Sequence, residues 1–91
     1  MPIVHVSRVS EGRYKMTLVA DDPEREGVLF GEIGRKYFPG AVYQVSAQGP
    51  DGKTISYPGF FYADSRSRNY SDVVVELKKH GYEVDERALR P

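Results

Sequence analysis

Four carboxylates, Asp21, Asp22, Glu24 and Glu26, crowd into one short stretch of the chain. Paired acids can exchange protons as general acid and base, or hold a divalent cation. A small metal-dependent hydrolase using Asp21 and Asp22 is therefore one reading. The plainer one is the start of a helix. Asp22 can cap it, Pro23 suits its first position, and acids favour the positive end of the helix dipole. We prefer the plainer reading.

The other groups with chemical potential are scattered. His5 lies between Val4 and Val6, and His80 just before Gly81, with no cysteine anywhere. Separated histidines without thiolates leave a metal site short of ligands, and no EF-hand pattern is present. Gly52-Lys53-Thr54 spells the end of a phosphate loop but lacks the upstream glycine and the following helix. Gly27, Gly31 and Gly34 do not match G-x-G-x-x-G, and no serine sits in G-x-S-x-G. No metal and no cofactor is expected, and an enzyme is the less favoured class.

The stretch from Ser56 to Asp72 is different in kind. It contains Tyr57, Phe60, Phe61, Tyr62 and Tyr70, with Arg66 and Arg68 between the last two. Aromatic rings beside arginines can stack bases and pair phosphates of single-stranded nucleic acid. Tyrosine, phenylalanine and arginine are also enriched at the centres of protein interfaces. A third account makes the phenylalanines plain core. The periodicity divides the stretch into a strand and bulge (Ser56 to Tyr62, at least one Phe inward), an exposed loop (Ala63 to Arg68) and a helix start. Tyr57, Tyr62, Arg66 and Arg68 are then the binding candidates, with Lys78 and Lys79 extending the patch in the nucleic-acid reading.

The elements that must position these residues follow from pattern and punctuation. Ile3 to Val9 and Tyr14 to Ala20 alternate apolar and polar residues around a turn at Gly12, which predicts an antiparallel hairpin. Val4 and Val6 share one face of the first strand; Tyr14, Met16, Leu18 and Ala20 share one face of the second. A helix is expected from Asp22-Pro23 to Tyr37, with Leu29, Phe30, Ile33 and Tyr37 as its stripe. Its interior glycines cost about 1 kcal/mol each relative to Ala, which leaves open a start as late as Val28, or an extended stretch over residues 27–31. Close approach to the sheet or to another helix would explain them. Ala41 to Gln48 and Lys53 to Tyr57 form a second hairpin around Gly49-Pro50-Asp51-Gly52. A final helix, capped by Asn69 or Ser71, buries Tyr70, Val73, Val74 and Leu77 and stops at Gly81. Tyr82 to Val84 can add a short edge strand.

The order β-β-α-β-β-α predicts an α+β two-layer sandwich. Its sheet is mostly antiparallel, with four or five strands and two helices on one face. The expected domain spans residues 1–84, with 85–91 as a tail. Thirteen basic residues balance thirteen acidic ones. That neutrality counts against a dedicated nucleic-acid binder, whose affinity comes largely from counterion release. A chain of 91 residues buries a modest share of its surface, so association would stabilise it. No apolar run approaches the ~20 residues that span a bilayer, and Met1 to Arg8 lacks the long apolar core expected of a signal peptide. The absence of cysteine fits a cytoplasmic address. The reading favoured at this level is a small non-enzymatic binding protein that contacts another protein or its own copy, with single-stranded nucleic acid as the alternative partner and no membrane.

Overall fold

Alternation builds the sheet. The computed structural model describes residues 1–91. Strands β1 (Ile3–Ser10) and β2 (Arg13–Val19) form the first hairpin, and α1 (Pro23–Tyr37) follows. Strands β3 (Val42–Gln48) and β4 (Thr54–Asp64) form the second, followed by α2 (Arg68–Lys79) and β5 (Glu83–Asp85). The five strands lie in the order β3-β4-β2-β1-β5. All neighbours are antiparallel except β1 and β5, which run parallel. The expected α+β architecture with its β-β-α-β-β-α order is thus present, closed by a short parallel fifth strand.

This order makes each helix a crossover. β2 and β3 point the same way with β4 between them, so α1 must cross β4. β4 and β5 also point the same way, with β2 and β1 between them, so α2 crosses that side. The two helices therefore share one face. Val4 and Val6 of β1, Met16 and Leu18 of β2 and Phe61 and Ala63 of β4 meet Phe30 and Ile33 of α1 and Val73, Val74 and Leu77 of α2 in a single buried cluster. The stripes expected for both helices are those that are buried or half-buried.

α1 starts where its sequence signals place it. The Asp22 side chain accepts from the Arg25 N–H at 3.2 Å, with Pro23 in the first turn. The glycines lie against the sheet. A Cβ at Gly31 would come within 2.7 Å of the Pro58 ring, and one at Gly34 within 2.7 Å of Phe61. Close approach of α1 to β4, expected from the glycines, is what they permit.

α2 departs from expectation at its first turn. The cap is Ser67, not Asn69 or Ser71, and the Ser67 hydroxyl donates to the Asp64 carbonyl rather than capping the helix. Asn69 is drawn elsewhere: its Nδ2 donates to the Tyr37 carbonyl at 3.1 Å, tying α2 to the end of α1. Glu76 strengthens that tie by accepting from Lys36 Nζ and Tyr37 Oη, both at 2.8 Å. Lys36 and Tyr37 together hold the Glu76 carboxyl below its ordinary range.

Part of the stretch 85–91, expected as a tail, lies against the domain. Asp85 ends β5, residues Arg87–Leu89 form a 3-10 turn, and Leu89 packs against the core. The Tyr70 hydroxyl donates to Glu86 and holds this segment onto α2. No helix is long and apolar enough to cross a membrane.

Candidate functional site

Since both helices use one face of the sheet, the other is bare. Its residues are the ones that alternate with the core. On β4 these are Phe60 and Tyr62, flanking buried Phe61. Opposite them lie Tyr43 on β3, and Thr17 and Lys15 on β2. Cross-strand register therefore gathers aromatics from two hairpins that are remote in sequence.

The rings form a tight group. Tyr43 and Phe60 stack with centroids 5.2 Å apart and planes 8° from parallel. Tyr62 meets both edge-on, at 5.4 Å from Tyr43 and 5.6 Å from Phe60. Two cations of β2 cover them: the Arg13 guanidinium lies 3.9 Å from the Tyr62 centroid, and Lys15 Nζ lies 4.3 Å from that of Phe60. Such contacts stabilise by about 0.5–1 kcal/mol each where water reaches them. Tyr43 remains 44 % exposed although it is one of the larger apolar groups of the chain.

A bulge positions this cluster. Tyr43 pairs with Phe60, but Gln44 pairs with Pro58, so Gly59 is an extra residue on β4. A Cβ at Gly59 would come within 2.2 Å of Val45 Cγ2, so no other residue fits without displacement. The bulge shifts the phase of β4, so Pro58 meets α1 while Phe60 is turned onto the bare face. The bend expected at Pro58-Gly59 is this feature, inside one continuous strand.

The four residues favoured by sequence do not all meet. Tyr62 belongs to the aromatic cluster. Tyr57 does not; it is half-buried against the core, with its Cβ beside Gly27 of α1. Arg66 lies against the β1–β2 turn, where its guanidinium covers Gly12, and its main-chain N–H donates to Asp64 at 2.9 Å. Tyr62, Arg13 and Arg66 share the wall of a shallow hollow of about 400 Å³ with Gly12 and Asp64. Arg68 is exposed at the start of α2. Lys78 and Lys79 end α2, in the helical layer, and do not extend the bare face. Tyr43, Arg13 and Lys15 were missed as candidates. Tyr43 carried a signal, in the alternation of Tyr43, Val45 and Ala47, but its neighbours come from pairing that sequence does not specify.

The far side of the bare face is polar. His5 Nδ1 lies 3.0 Å from Asp85 Oδ2, with the histidine side chain 46 % exposed and the carboxylate 13 %. Arg87 holds the same carboxylate through Nε at 2.9 Å and a second guanidinium nitrogen at 2.8 Å. Arg87, with a lesser contribution from His5, keeps Asp85 far below the usual carboxylate range. The carboxylate is thereby a fixed anchor for both partners.

Other polar groups are equally committed. The Tyr82 hydroxyl donates to the Glu26 carbonyl at 2.7 Å, and burial pushes its pKa up to about 12. Tyr70 is raised further, by burial and by Glu86. Both phenols stay protonated near neutrality and act as hydrogen-bond bolts. Asp21, Asp22, Glu24 and Asp51 line an open hollow between the α1 start and the β3–β4 turn. Asp22 caps α1 and Asp51 accepts from the Lys53 N–H, and no three His, Cys, Asp or Glu side chains are grouped as metal ligands.

No protein-family model matches the chain, nor does any curated protein or solved structure.

Proposed function

We propose that this is a small, non-enzymatic binding module that holds another protein against its bare sheet face. The observation that supports this reading is the Tyr43–Phe60–Tyr62 cluster under Arg13 and Lys15, on a face that no helix covers. Exposed contiguous aromatic surface of this kind marks interaction sites. Aromatics with arginine at the centre and polar groups at the rim suit a protein partner. The cations give the partner its chemistry: an apolar segment flanked by carboxylates or carbonyl oxygens, which Arg13 and Lys15 can pair. Arg66, on the wall of the adjoining hollow, adds a third donor. A cytoplasmic setting belongs to this reading, and the absence of cysteine favours it.

Single-stranded nucleic acid is the alternative, and ring geometry argues against it. A base needs a free aromatic face to stack on. Here Phe60 is used by Tyr43 and Lys15, and Tyr62 by Arg13. Zero net charge points the same way.

The test is a pair of capture experiments on folded protein. Phe60→Ser with Tyr62→Ser should abolish retention of a protein partner from native extract, while the helix-layer change Lys78→Ala leaves it intact. Equal retention by both variants, or salt-sensitive binding of oligonucleotides that the double change removes, would overturn the assignment.

A further inference from the structure

The two edges of the sheet are finished differently. β5 closes one side with three residues, Glu83, Val84 and Asp85, and the 3-10 turn follows at once. β3 closes the other with seven residues, Val42 to Gln48, that include neither charge nor proline. The uncharged run that contains it reaches from Tyr37 to Pro50 in a chain that is 29 % charged. Exposed edges are usually blunted by charge, proline, a bulge or shortness. β3 has none of these, because the bulge lies on β4.

Its main chain has a defined free side. The Ala41 carbonyl accepts from the Tyr62 N–H, and the Gly49 N–H donates to the Lys53 carbonyl. The odd-numbered residues between them therefore turn their main-chain groups toward β4. Val42, Gln44, Ser46 and Gln48 turn theirs outward, each with one donor and one acceptor. Three of those four residues, Gln44, Ser46 and Gln48, are exposed.

We infer that β3 pairs antiparallel with β3 of a second copy of this chain, about a two-fold axis at Val45, joining two five-stranded sheets into one. Val45 is the midpoint of β3, so this is the register that uses its whole length. It is also self-complementary. Tyr43 falls opposite the partner's Ala47, large against small. Gln44 falls opposite the partner's Ser46, polar against polar, and both are exposed. Val45 meets the partner's Val45. The outward donors and acceptors match in pairs, giving about eight main-chain hydrogen bonds. Strands without charge meet without repulsion, and a two-fold interface presents the same patch from each side. A strand that complements itself about its own centre fits a copy better than an unrelated peptide. The pairing sets both aromatic clusters on the same side of the enlarged sheet. It rests on the edge, so it stands independently of what the face binds.

Sedimentation equilibrium and thiol cross-linking test this. The wild-type chain should be a reversible dimer. Ser46→Pro removes an outward N–H that β4 does not need, a change edges tolerate, and should weaken association ~10-fold or more. The chain has no cysteine, so Val45→Cys introduces a unique thiol. Across a non-hydrogen-bonded pair the Cα atoms lie ~4.5 Å apart, within disulfide reach. Mild oxidation should therefore link Val45→Cys dimers rapidly, and Ala47→Cys dimers several-fold more slowly. Val45→Cys keeps a small apolar side chain, so it reports even where the proline variant fails to fold. A wild-type monomer at ~1 mM, an undiminished dimer in folded Ser46→Pro, or equal cross-linking at Ala47→Cys would each overturn the pairing. Phe60→Ser with Tyr62→Ser leaves the edge intact and should remain dimeric, which separates this failure from failure of the face reading.

Discussion

Phe60 and Phe61 are neighbours in the chain and opposites in the structure. Phe61 is 0 % exposed, packed between Phe30 and Phe38 under α1. Phe60 stands on the other side of the same strand, stacked on Tyr43, met edge-on by Tyr62 and covered by Lys15. One ring is surrounded by aliphatic and aromatic groups from both layers. The other is held by a ring and an ammonium group. Identical side chains thus serve the fold on one face and surface chemistry on the other. What separates them is strand alternation together with the choice of face for the two crossover helices.

That contrast can be broken most forcibly from the covered side. Phe61→Ala should destabilise the domain by about 3–5 kcal/mol, the usual result of emptying a fully buried phenylalanine site. Chemical denaturation checks it, and a loss below 1 kcal/mol would mean that Phe61 is not at the centre of the core. Gly31→Ala tests the close packing of α1 on β4. The added methyl would meet the rigid Pro58 ring at 2.7 Å, so it should cost about 1–3 kcal/mol even though alanine is the better helix former. A gain in stability would show that α1 can lift off the strand freely.

The bare face should respond much less. Tyr62→Ser removes cross-strand ring contacts and should lower stability by ~0.2–1 kcal/mol, while partner retention is lost. A stability loss as large as that of Phe61→Ala would erase the distinction between the two faces. The smallest effect belongs to the polar end of the same face. Asp85 has a folded pKa below its unfolded value near 3.9. It therefore contributes stability above that pH, and the contribution is lost as pH falls through the depressed folded value. Wild type should lose stability, relative to Asp85→Asn, from about pH 4 downward. Parallel denaturation curves for the two proteins across that range would contradict the anchor role of Asp85.

The parts legible in sequence were those fixed by local physics. α1 announced itself through Asp22-Pro23, and α2 through the Tyr70–Val73–Val74–Leu77 stripe and Gly81, whose φ is +91°. The α1 glycines pointed to close approach, which Pro58 and Phe61 supply. The cap of α2 was misplaced because Asn69, a good capping residue, is claimed by the Tyr37 carbonyl across the helix pair. The site was only partly legible for the same reason. Tyr62 was recognisable as an aromatic beside arginines, yet its cation is Arg13, delivered by β2, and its ring neighbour Tyr43 is delivered by β3. Tyr57 looked equivalent, but it packs half-buried against the core with its Cβ beside Gly27 of α1. Pairing between hairpins and the phase of a bulge are tertiary facts, and no spacing rule encodes them.

The parallel contact of β1 with β5 has a mechanical side. Ile3 lies beside Glu83 and His5 beside Asp85, with the Glu83 N–H donating to the Pro2 carbonyl. A load entering at Pro2 and leaving at Glu86 would pull these neighbours along their length in opposite directions. The bonds would then be sheared together instead of opened one after another, as an antiparallel hairpin pulled at its free ends would be. Tension along that line meets the His5–Asp85–Arg87 cluster as a crossbar, while the same tension applied across the β3–β4 turn would peel the sheet strand by strand.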